Sequence, residues 1–151
     1  MTTIACNLFE MAADTRVSIH DPVKESIVVF PSTKIERINN ALIGSSGDFQ
    51  AGVRFHDWMR AGQPRKKPRL CKDFRALMLK ADGIWTIEGP DDTWMRVDSE
   101  FYAIGSGGKV AIGALKFGAS PKDAVEAAKE WDAWSGGKVT VLSLGVKCRT
   151  P

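Results

Sequence analysis

Segments with strand composition and segments with helical periodicity follow one another in blocks along this chain of 151 residues. The first block holds four predicted strands, at residues 3–9, 11–19, 34–38 and 41–43. The last two flank Asn39-Asn40, a pair that suits the type I′ turn of a β-hairpin. Since about 100 to 200 residues make one domain, residues 1–151 are expected to form a single domain.

Residues 48–61 fit two different periodicities. Apolar residues recur there with helical spacing, at Ala51, Phe55, Trp58 and Met59. Apolar residues also alternate from Phe49 to Phe55, as they would in a strand. We favour the helix for this segment.

A second block of strands follows, predicted at 76–81, 84–88 and 93–97, and it carries Trp85 and Trp94 as strand aromatics. Turns are expected at Asp82-Gly83 and at 89–92. This block therefore forms an antiparallel meander.

Two helices and a last strand complete the chain. The first helix is predicted over 107–117 and ends at Gly118, and Ser120-Pro121 supplies the N-cap and first-turn proline of the second. The second helix is expected to bury Ala124, Ala127, Ala128 and Trp131, and Gly136-Gly137 ends it. A strand follows over 138–144. Such blocks favour an α+β fold with antiparallel sheets over a regular βαβ alternation.

Composition excludes several classes of protein. The longest aliphatic run, residues 27–30, falls far short of the roughly 18 residues of a membrane-spanning helix. Three scattered cysteines give neither a disulfide framework nor a zinc site, and neither metal nor cofactor is expected. The amino terminus lacks the pattern of a signal peptide, so we expect a cytoplasmic protein. The net charge of +3 does not point to nucleic acid.

Two local motifs have competing interpretations. Residues 63–72 carry five basic side chains and two prolines, which predict a solvated surface loop. Nucleic-acid binding by this loop is the weaker alternative, because no aromatic residue is interleaved for stacking. The stretch Gly105-Ser106-Gly107-Gly108-Lys109 looks like a phosphate loop, but Ala103 and Val110 depart from the motif. A nucleotide site is therefore disfavoured.

Six pieces of sequence together resemble a known family. They are Met1-Thr2-Thr3-Ile4, Ala12-Ala13-Asp14, Lys34, Gly44-Ser45-Ser46-Gly47-Asp48, residues 103–108 and residues 132–137. In that order and spacing they resemble the catalytic β subunits of the proteasome and the HslV-type bacterial peptidases, over nearly the whole chain. The resemblance implies the four-layer αββα sandwich of the N-terminal-nucleophile hydrolases, an α+β fold of two antiparallel sheets.

The resemblance also implies a role for particular residues. Thr2 corresponds to the nucleophile, Gly47 to the oxyanion donor, and the charged and polar neighbours are Asp14, Lys34, Ser106, Asp132 and Ser135. The pocket beside the nucleophile would be lined by Val17, Ser32, Glu36, Ser45, Phe49 and Val53. His20 and His56 have no partner motif in the sequence, so we expect surface or packing residues and no histidine-based triad.

The implied chemistry requires a free α-amine. A threonine hydroxyl is a poor nucleophile until a base takes its proton, and the α-amine of the same residue can be that base. Met1 must therefore be removed, because an amide nitrogen is not basic. A protonated Lys34, paired with Asp14, would keep the amine neutral and favour the developing alkoxide.

The sequence thus predicts a threonine endopeptidase that acts on peptides or unfolded protein from a ring-like homo-oligomer. The alternative is a non-catalytic ring or scaffold protein that retains Met1. In place of the second long helix of the family, the chain has the basic loop 63–72, so ring stacking is expected to differ. The shortened chain resembles compact proteasome-like proteins of bacterial and phage genomes, and an ATPase unfoldase is a candidate partner.

Overall fold

A computed structural model describes residues 1–91 and 93–145. In this part of the chain the strands are β1 (Thr3–Asn7), β2 (Glu10–Asp14), β3 (Arg16–Asp21), β4 (Ser26–Pro31), β5 (Ile35–Ile38), β6 (Ala41–Ser46), β7 (Arg75–Lys80), β8 (Gly83–Glu88), β9 (Met95–Val97), β10 (Phe101–Gly105) and β11 (Val139–Ser143). The helices are α1 (Phe49–Arg60), α2 (Gly108–Lys116) and α3 (Pro121–Trp131). The predicted order of strands, helix, strands, two helices and strand is confirmed.

The strands form two main antiparallel sheets and a separate ribbon. One sheet has the order β10-β1-β2-β11 and the other the order β5-β6-β7-β8-β9. Strands β3 and β4 pair only with each other among the described residues. Helices α2 and α3 cover the four-stranded sheet and α1 covers the five-stranded one. The layers are therefore αββα, as expected.

Side-chain alternation along the strands decides which layer each residue joins. On β1, Ile4 and Cys6 pack between the two sheets, whereas Ala5 faces α2 and α3. On β7, Leu77 points into the same central layer and its neighbour Met78 packs toward α1. Both sheets are thus apolar on both faces, which a four-layer sandwich requires.

Helix α1 settles the ambiguous segment as a helix. Asp48 caps it by accepting a hydrogen bond from the Ala51 backbone N–H at 2.7 Å. Its fully buried Phe55 packs against Phe74, with the ring centroids 5.1 Å apart. Burial of this face against a sheet stabilises the helix over the strand alternative.

Two strands were missing from the prediction. Strand β4 is an exposed run of β-branched residues without alternation, and β10 is a short edge strand directly before a glycine-rich turn. The predicted strand 11–19 is in fact two strands, because the chain leaves the sheet at Thr15 and continues in the ribbon. Of the two turn asparagines only Asn39 has a positive φ, of 53°, so the turn is not type I′.

The predicted caps at Gly118 and Ser120-Pro121 are confirmed, but α3 ends at Trp131, before the predicted stop at Gly136-Gly137. The Ser120 hydroxyl accepts from the Asp123 N–H, Pro121 occupies the first turn, and Gly118 ends the preceding helix with a φ of 93°. Trp131 was expected to be buried, but it is 80% exposed. Ala127 is only partly buried.

The connection from α1 to β7 is less solvated than its composition suggests. Among the described residues, 61–74 form no helix or strand, and most of them are exposed. Leu70, however, is buried in the α1 core, and the Trp58 indole N–H donates to the Pro64 carbonyl at 2.9 Å. The expectation of a wholly solvated loop over 63–72 is wrong at Leu70. No helix within the described part of the chain has the length and apolar character to cross a bilayer.

Candidate active site

Antiparallel pairing brings the ends of several strands to one edge of the molecule. The start of β1 lies beside the end of β2 and the end of β10, since both strands run antiparallel to β1. In the other sheet, the start of β5 lies beside the end of β6. Among the candidate residues, Thr2 and Lys34 directly precede β1 and β5, Gly47 and Ser106 directly follow β6 and β10, and Asp14 is the last residue of β2.

Thr2 lies immediately before β1 and is 6% exposed. The end of β10 passes directly over it, so that a side chain at Gly105 would overlap the Thr2 carbonyl oxygen. Gly105 also has a φ of 95°, which only glycine adopts without strain. The backbone of Thr2 is therefore held closely by the neighbouring strand.

Asp14 and Lys34 form a buried ion pair that joins the two sheets. The Lys34 ammonium Nζ lies 2.9 Å from Asp14 Oδ1. The same oxygen accepts from the Thr3 N–H at 2.9 Å, and Oδ2 accepts from the Gly136 N–H at 3.0 Å. Burial lowers the pKa of Lys34, and the charge of Asp14 and its hydrogen bond oppose this change. The pair keeps a cation beside Thr2.

Lys34 also contacts the peptide group that precedes Thr2. Its Nζ donates to the Met1 carbonyl oxygen at 3.2 Å, which puts the Thr2 nitrogen of that peptide within about 5.5 Å of the ammonium. Burial and the charge of Lys34 both lower the pKa of the Met1 amine. An amine at this end of the chain is therefore more easily neutral than an exposed one.

A second acid binds two hydroxyl groups behind Thr2. Asp132 Oδ2 accepts from the hydroxyl groups of Ser106 and Ser135, each at 2.6 Å. Ser135 in turn shares a hydrogen bond of 2.6 Å with the Thr3 hydroxyl, and Ser106 Oγ also lies 3.4 Å from the Thr2 carbonyl oxygen. Burial raises the pKa of Asp132, but the hydrogen bonds from the two serines outweigh it and the pKa is lowered. Asp132 is therefore ionised at neutral pH.

Gly47 lies in the turn between β6 and α1. Its φ is 104°, and an added Cβ would come within 2.7 Å of the Asp73 carbonyl oxygen. Only glycine fits this position without displacing backbone. Gly47 lines the same cleft as Thr2, which is where an oxyanion donor would have to be.

The cleft has a volume of about 810 Å³ and opens beside Thr2. All six predicted pocket residues line it, namely Val17, Ser32, Glu36, Ser45, Phe49 and Val53. The face of the β3–β4 ribbon that carries Val17 and Phe30 forms one wall, and Phe30 meets Phe49 edge to face with ring centroids 5.7 Å apart. The candidate catalytic residues Thr2, Lys34, Gly47 and Ser106 are also at its surface.

Comparison with solved structures finds the same fold in proteins of low sequence identity. Eukaryotic HslV from Trypanosoma brucei superposes with a TM-score of 0.68 at 17% identity, covering 93% of this chain and 98% of HslV. Thiobacillus denitrificans BPH gives 0.64 at 18% identity, with 95% and 98% covered. Its complex with epoxomicin gives 0.65 at 17% identity, with 96% and 99% covered. The chain has the HslV fold.

The expected N-terminal-nucleophile hydrolase fold is thereby confirmed. Models of known protein families give no match to the chain, and neither do curated protein sequences. At 17 to 18% identity the likeness to HslV concerns the fold, and the roles of the site residues rest on the geometry of this chain.

One residue of this HslV-fold cleft was overlooked in the sequence. His56 is 8% exposed, lines the cleft, and hydrogen-bonds Ser45 through Nε2 at 3.1 Å and Glu36 through Nδ1. Its partners Glu36 and Ser45 are 20 and 11 residues away in the chain, so no local sequence motif indicates them. The available signal was helical spacing, since Phe49, Val53, His56 and Arg60 share one face of α1.

The described residues hold no group of three or more His, Cys, Asp or Glu side chains that could bind a metal ion.

Proposed function

We propose that this chain is a threonine peptidase that cleaves peptide bonds through an acyl ester on Thr2 after Met1 has been removed. The observation that carries the proposal is the buried Lys34, which lies 2.9 Å from Asp14 and 3.2 Å from the carbonyl oxygen of the Met1–Thr2 peptide. A buried ammonium beside a buried threonine at the mouth of a cleft has a direct chemical use. It supports ionisation of the hydroxyl.

Removal of Met1 makes the base. The nitrogen of the Met1–Thr2 peptide cannot accept a proton, because its lone pair is delocalised into the carbonyl. Once Met1 has left, the same nitrogen becomes a primary amine within about 5.5 Å of Lys34 Nζ. The positive charge of Lys34 disfavours protonation of that amine, so the amine is free to act as a base at neutral pH.

The reaction then proceeds in two halves. The Thr2 hydroxyl oxygen attacks the substrate carbonyl carbon while its proton passes to the Thr2 amine, and the Gly47 N–H stabilises the oxyanion. The C–N bond breaks as the amine returns the proton to the leaving nitrogen, which leaves an ester on Thr2. Water, deprotonated by the same amine, then hydrolyses the ester and restores the hydroxyl.

The three remaining polar groups orient the nucleophile. Ser106, Asp132 and Ser135 form a hydrogen-bonded chain whose members contact the Thr2 carbonyl and the Thr3 hydroxyl. In this role they fix the backbone of Thr2 and do not attack the substrate.

Peptides or unfolded protein are the proposed substrates, and a ring-like homo-oligomer the proposed assembly. The cleft beside Thr2 supports the proposed substrates, because it is open to solvent and an extended peptide can reach it. The second is supported by Ile27 and Val29 on the outer face of the ribbon, which are 56% and 49% exposed and would be covered by a neighbouring copy. The cytoplasmic location, a phage or bacterial source and an unfoldase partner remain predictions from the sequence.

Intact mass spectrometry of the purified protein is the first test. Loss of Met1 from most chains is expected, and retention on most chains would exclude self-activation and leave the non-catalytic ring or scaffold protein as the function. The second test is labelling by epoxomicin, which binds BPH, together with hydrolysis of a fluorogenic peptide. Thr2→Ala should abolish both and Thr2→Ser should retain both. Undiminished turnover in Thr2→Ala would refute the mechanism.

A further inference from the structure

The floor of the cleft is a hydrogen-bonded chain of three side chains. Ser45 at the end of β6 meets His56 Nε2 at 3.1 Å, and His56 Nδ1 meets Glu36 Oε1. Glu36 Oε2 also accepts from the Arg60 guanidinium at 3.1 Å. Of the four side chains His56 is the most buried, while Ser45 and Glu36 are partly open to the cleft.

The direction of these hydrogen bonds is fixed by Glu36. An ionised carboxylate can only accept, so His56 Nδ1 carries the proton and donates it. Nε2 of the neutral ring is then an acceptor, and the Ser45 O–H must point at it. The Ser45 hydroxyl therefore donates its only proton to His56. Its oxygen can still accept a hydrogen bond from a group in the cleft.

Burial of His56 supports the neutral ring. Burial lowers the pKa of His56, and the hydrogen bond and charge of Glu36 oppose this change. The charge of Arg60 on the next helical turn lowers it further, while that of Asp57 raises it. The net direction is downward, so the ring is uncharged at neutral pH.

Ser45, His56 and Glu36 are connected in the same order as a Ser-His-acid catalytic triad. The structure nevertheless favours a substrate-binding role for Ser45 over a role as nucleophile. An acyl-transferring serine commonly uses its own backbone N–H to bind the oxyanion. The Ser45 N–H instead donates to the Lys34 carbonyl oxygen at 3.4 Å, between β6 and the residue that precedes β5. That donor faces into the sheet and away from the cleft.

Three apolar side chains, Val17, Phe49 and Val53, lie in the lining of the cleft beside polar and charged residues that include Gln50 and Arg75. The methylene groups of a substrate side chain that enters the cleft would contact these apolar residues, and its tip would meet Ser45. A cationic tip would approach Arg60 as well as Glu36, and the two charges offset each other. A neutral tip that carries N–H donors is therefore the best complement.

On the basis of the proposed peptidase function, we infer that Ser45, positioned by His56 and Glu36, selects substrates with a neutral hydrogen-bond-donating side chain, glutamine foremost, before the cleaved bond. Methionine has nearly the same length and can also contact Val17, Phe49 and Val53, but it leaves the Ser45 oxygen without a donor. A single hydrogen bond of this kind changes the ratio of rates by about threefold to tenfold.

The test is a pair of fluorogenic peptides identical except for glutamine or methionine before the cleaved bond. The wild-type protein is expected to show a kcat/KM about threefold to tenfold higher for the glutamine peptide. Ser45→Ala should bring this ratio to one or below, because the acceptor is gone. His56→Phe should lower the ratio as well, because the Ser45 hydroxyl then loses the partner that orients it and no longer presents a fixed acceptor to the cleft.

Ser99→Ala is the matched control for Ser45→Ala, because Ser99 is an exposed serine outside the cleft. It should leave the ratio as in the wild type. Hydrolysis with a ratio that Ser45→Ala does not change would overturn the inference and leave the peptidase proposal intact. Failure to hydrolyse any peptide would overturn the peptidase proposal, and this inference with it. The rate of epoxomicin labelling checks that each variant is folded.

Discussion

Asp14→Asn tests whether the buried ion pair is what holds the candidate site together. Asp14 is fully buried, and its two oxygens accept from Lys34, from the Thr3 N–H and from the Gly136 N–H. Asparagine keeps one acceptor oxygen and removes the charge, which leaves the Lys34 ammonium buried without a counter-ion. Breaking a buried pair in this way costs about 3 to 5 kcal/mol.

For a chain of this size, each kcal/mol lowers the melting temperature by roughly 2 to 4 °C. Asp14→Asn should therefore melt about 6 to 20 °C below the wild type in differential scanning calorimetry. Asp98→Asn, an exposed aspartate, should shift it hardly at all. A shift in Asp14→Asn as small as in Asp98→Asn would refute the reasoning.

The sign of the pH dependence gives a second check on the same variant. Burial lowers the pKa of Lys34 below its ordinary value already in the wild type, and loss of Asp14 lowers it further. Between that lowered value and about 10.4 the unfolded chain then binds more protons than the folded one, so stability rises with pH. The deficit of Asp14→Asn should shrink as the pH is raised toward 10, and a deficit that grows would contradict the assignment.

Three further predictions concern the amine, the backbone at Thr2 and the assembly. The trimmed amine should have a pKa below its usual range of about 7.7 to 8.0, because burial and the charge of Lys34 lower the pKa of the Met1 amine at the same end of the chain. The peptidase kcat/KM should thus rise through this pKa and be level above pH 8, and a midpoint above 8 would contradict it. Gly105→Ala should displace Thr2 and reduce epoxomicin labelling at least tenfold, whereas Gly113→Ala, with open space around its Cβ, should not. Val29→Lys should dissociate the oligomer in native mass spectrometry, and an unchanged subunit number would exclude the ribbon as the contact.

Much of the fold could be predicted because its segments carry local signals. Caps such as Asp48 and Ser120 mark helix starts through a side-chain oxygen that accepts a nearby backbone N–H. Strand β10 gave no such signal, because it is a short edge strand that depends on pairing with β1. The exposure of Trp131 could not be predicted either, since helical periodicity shows which face of a helix is apolar but not whether another element covers each position.

The residues of the candidate site also differ in whether a local sequence signal marks them. Thr2, Gly47 and the serines lie in short runs whose composition is unusual, so a pattern of pieces could point to them. His56 could not be found in this way, because its acid and its hydroxyl come from the β5–β6 hairpin and meet it only in the folded chain. Only its place on the face of Phe49 and Val53 was readable from the spacing.

The two carboxylates of the site differ in what they hold together. Asp14 is fully buried and joins the starts of β1 and β5 with residue 136, so its bonds position Lys34 and stabilise the packing of the sheets at the same time. Asp132 is only partly buried, and one of its hydroxyl partners, Ser106, is exposed. Because hydrogen bonds near solvent contribute less to folding than buried ones, the Asp132 group can orient Thr2 without determining stability. A substitution at Asp132 should therefore affect the orientation of Thr2 with little effect on folding stability, whereas a substitution at Asp14 should affect both.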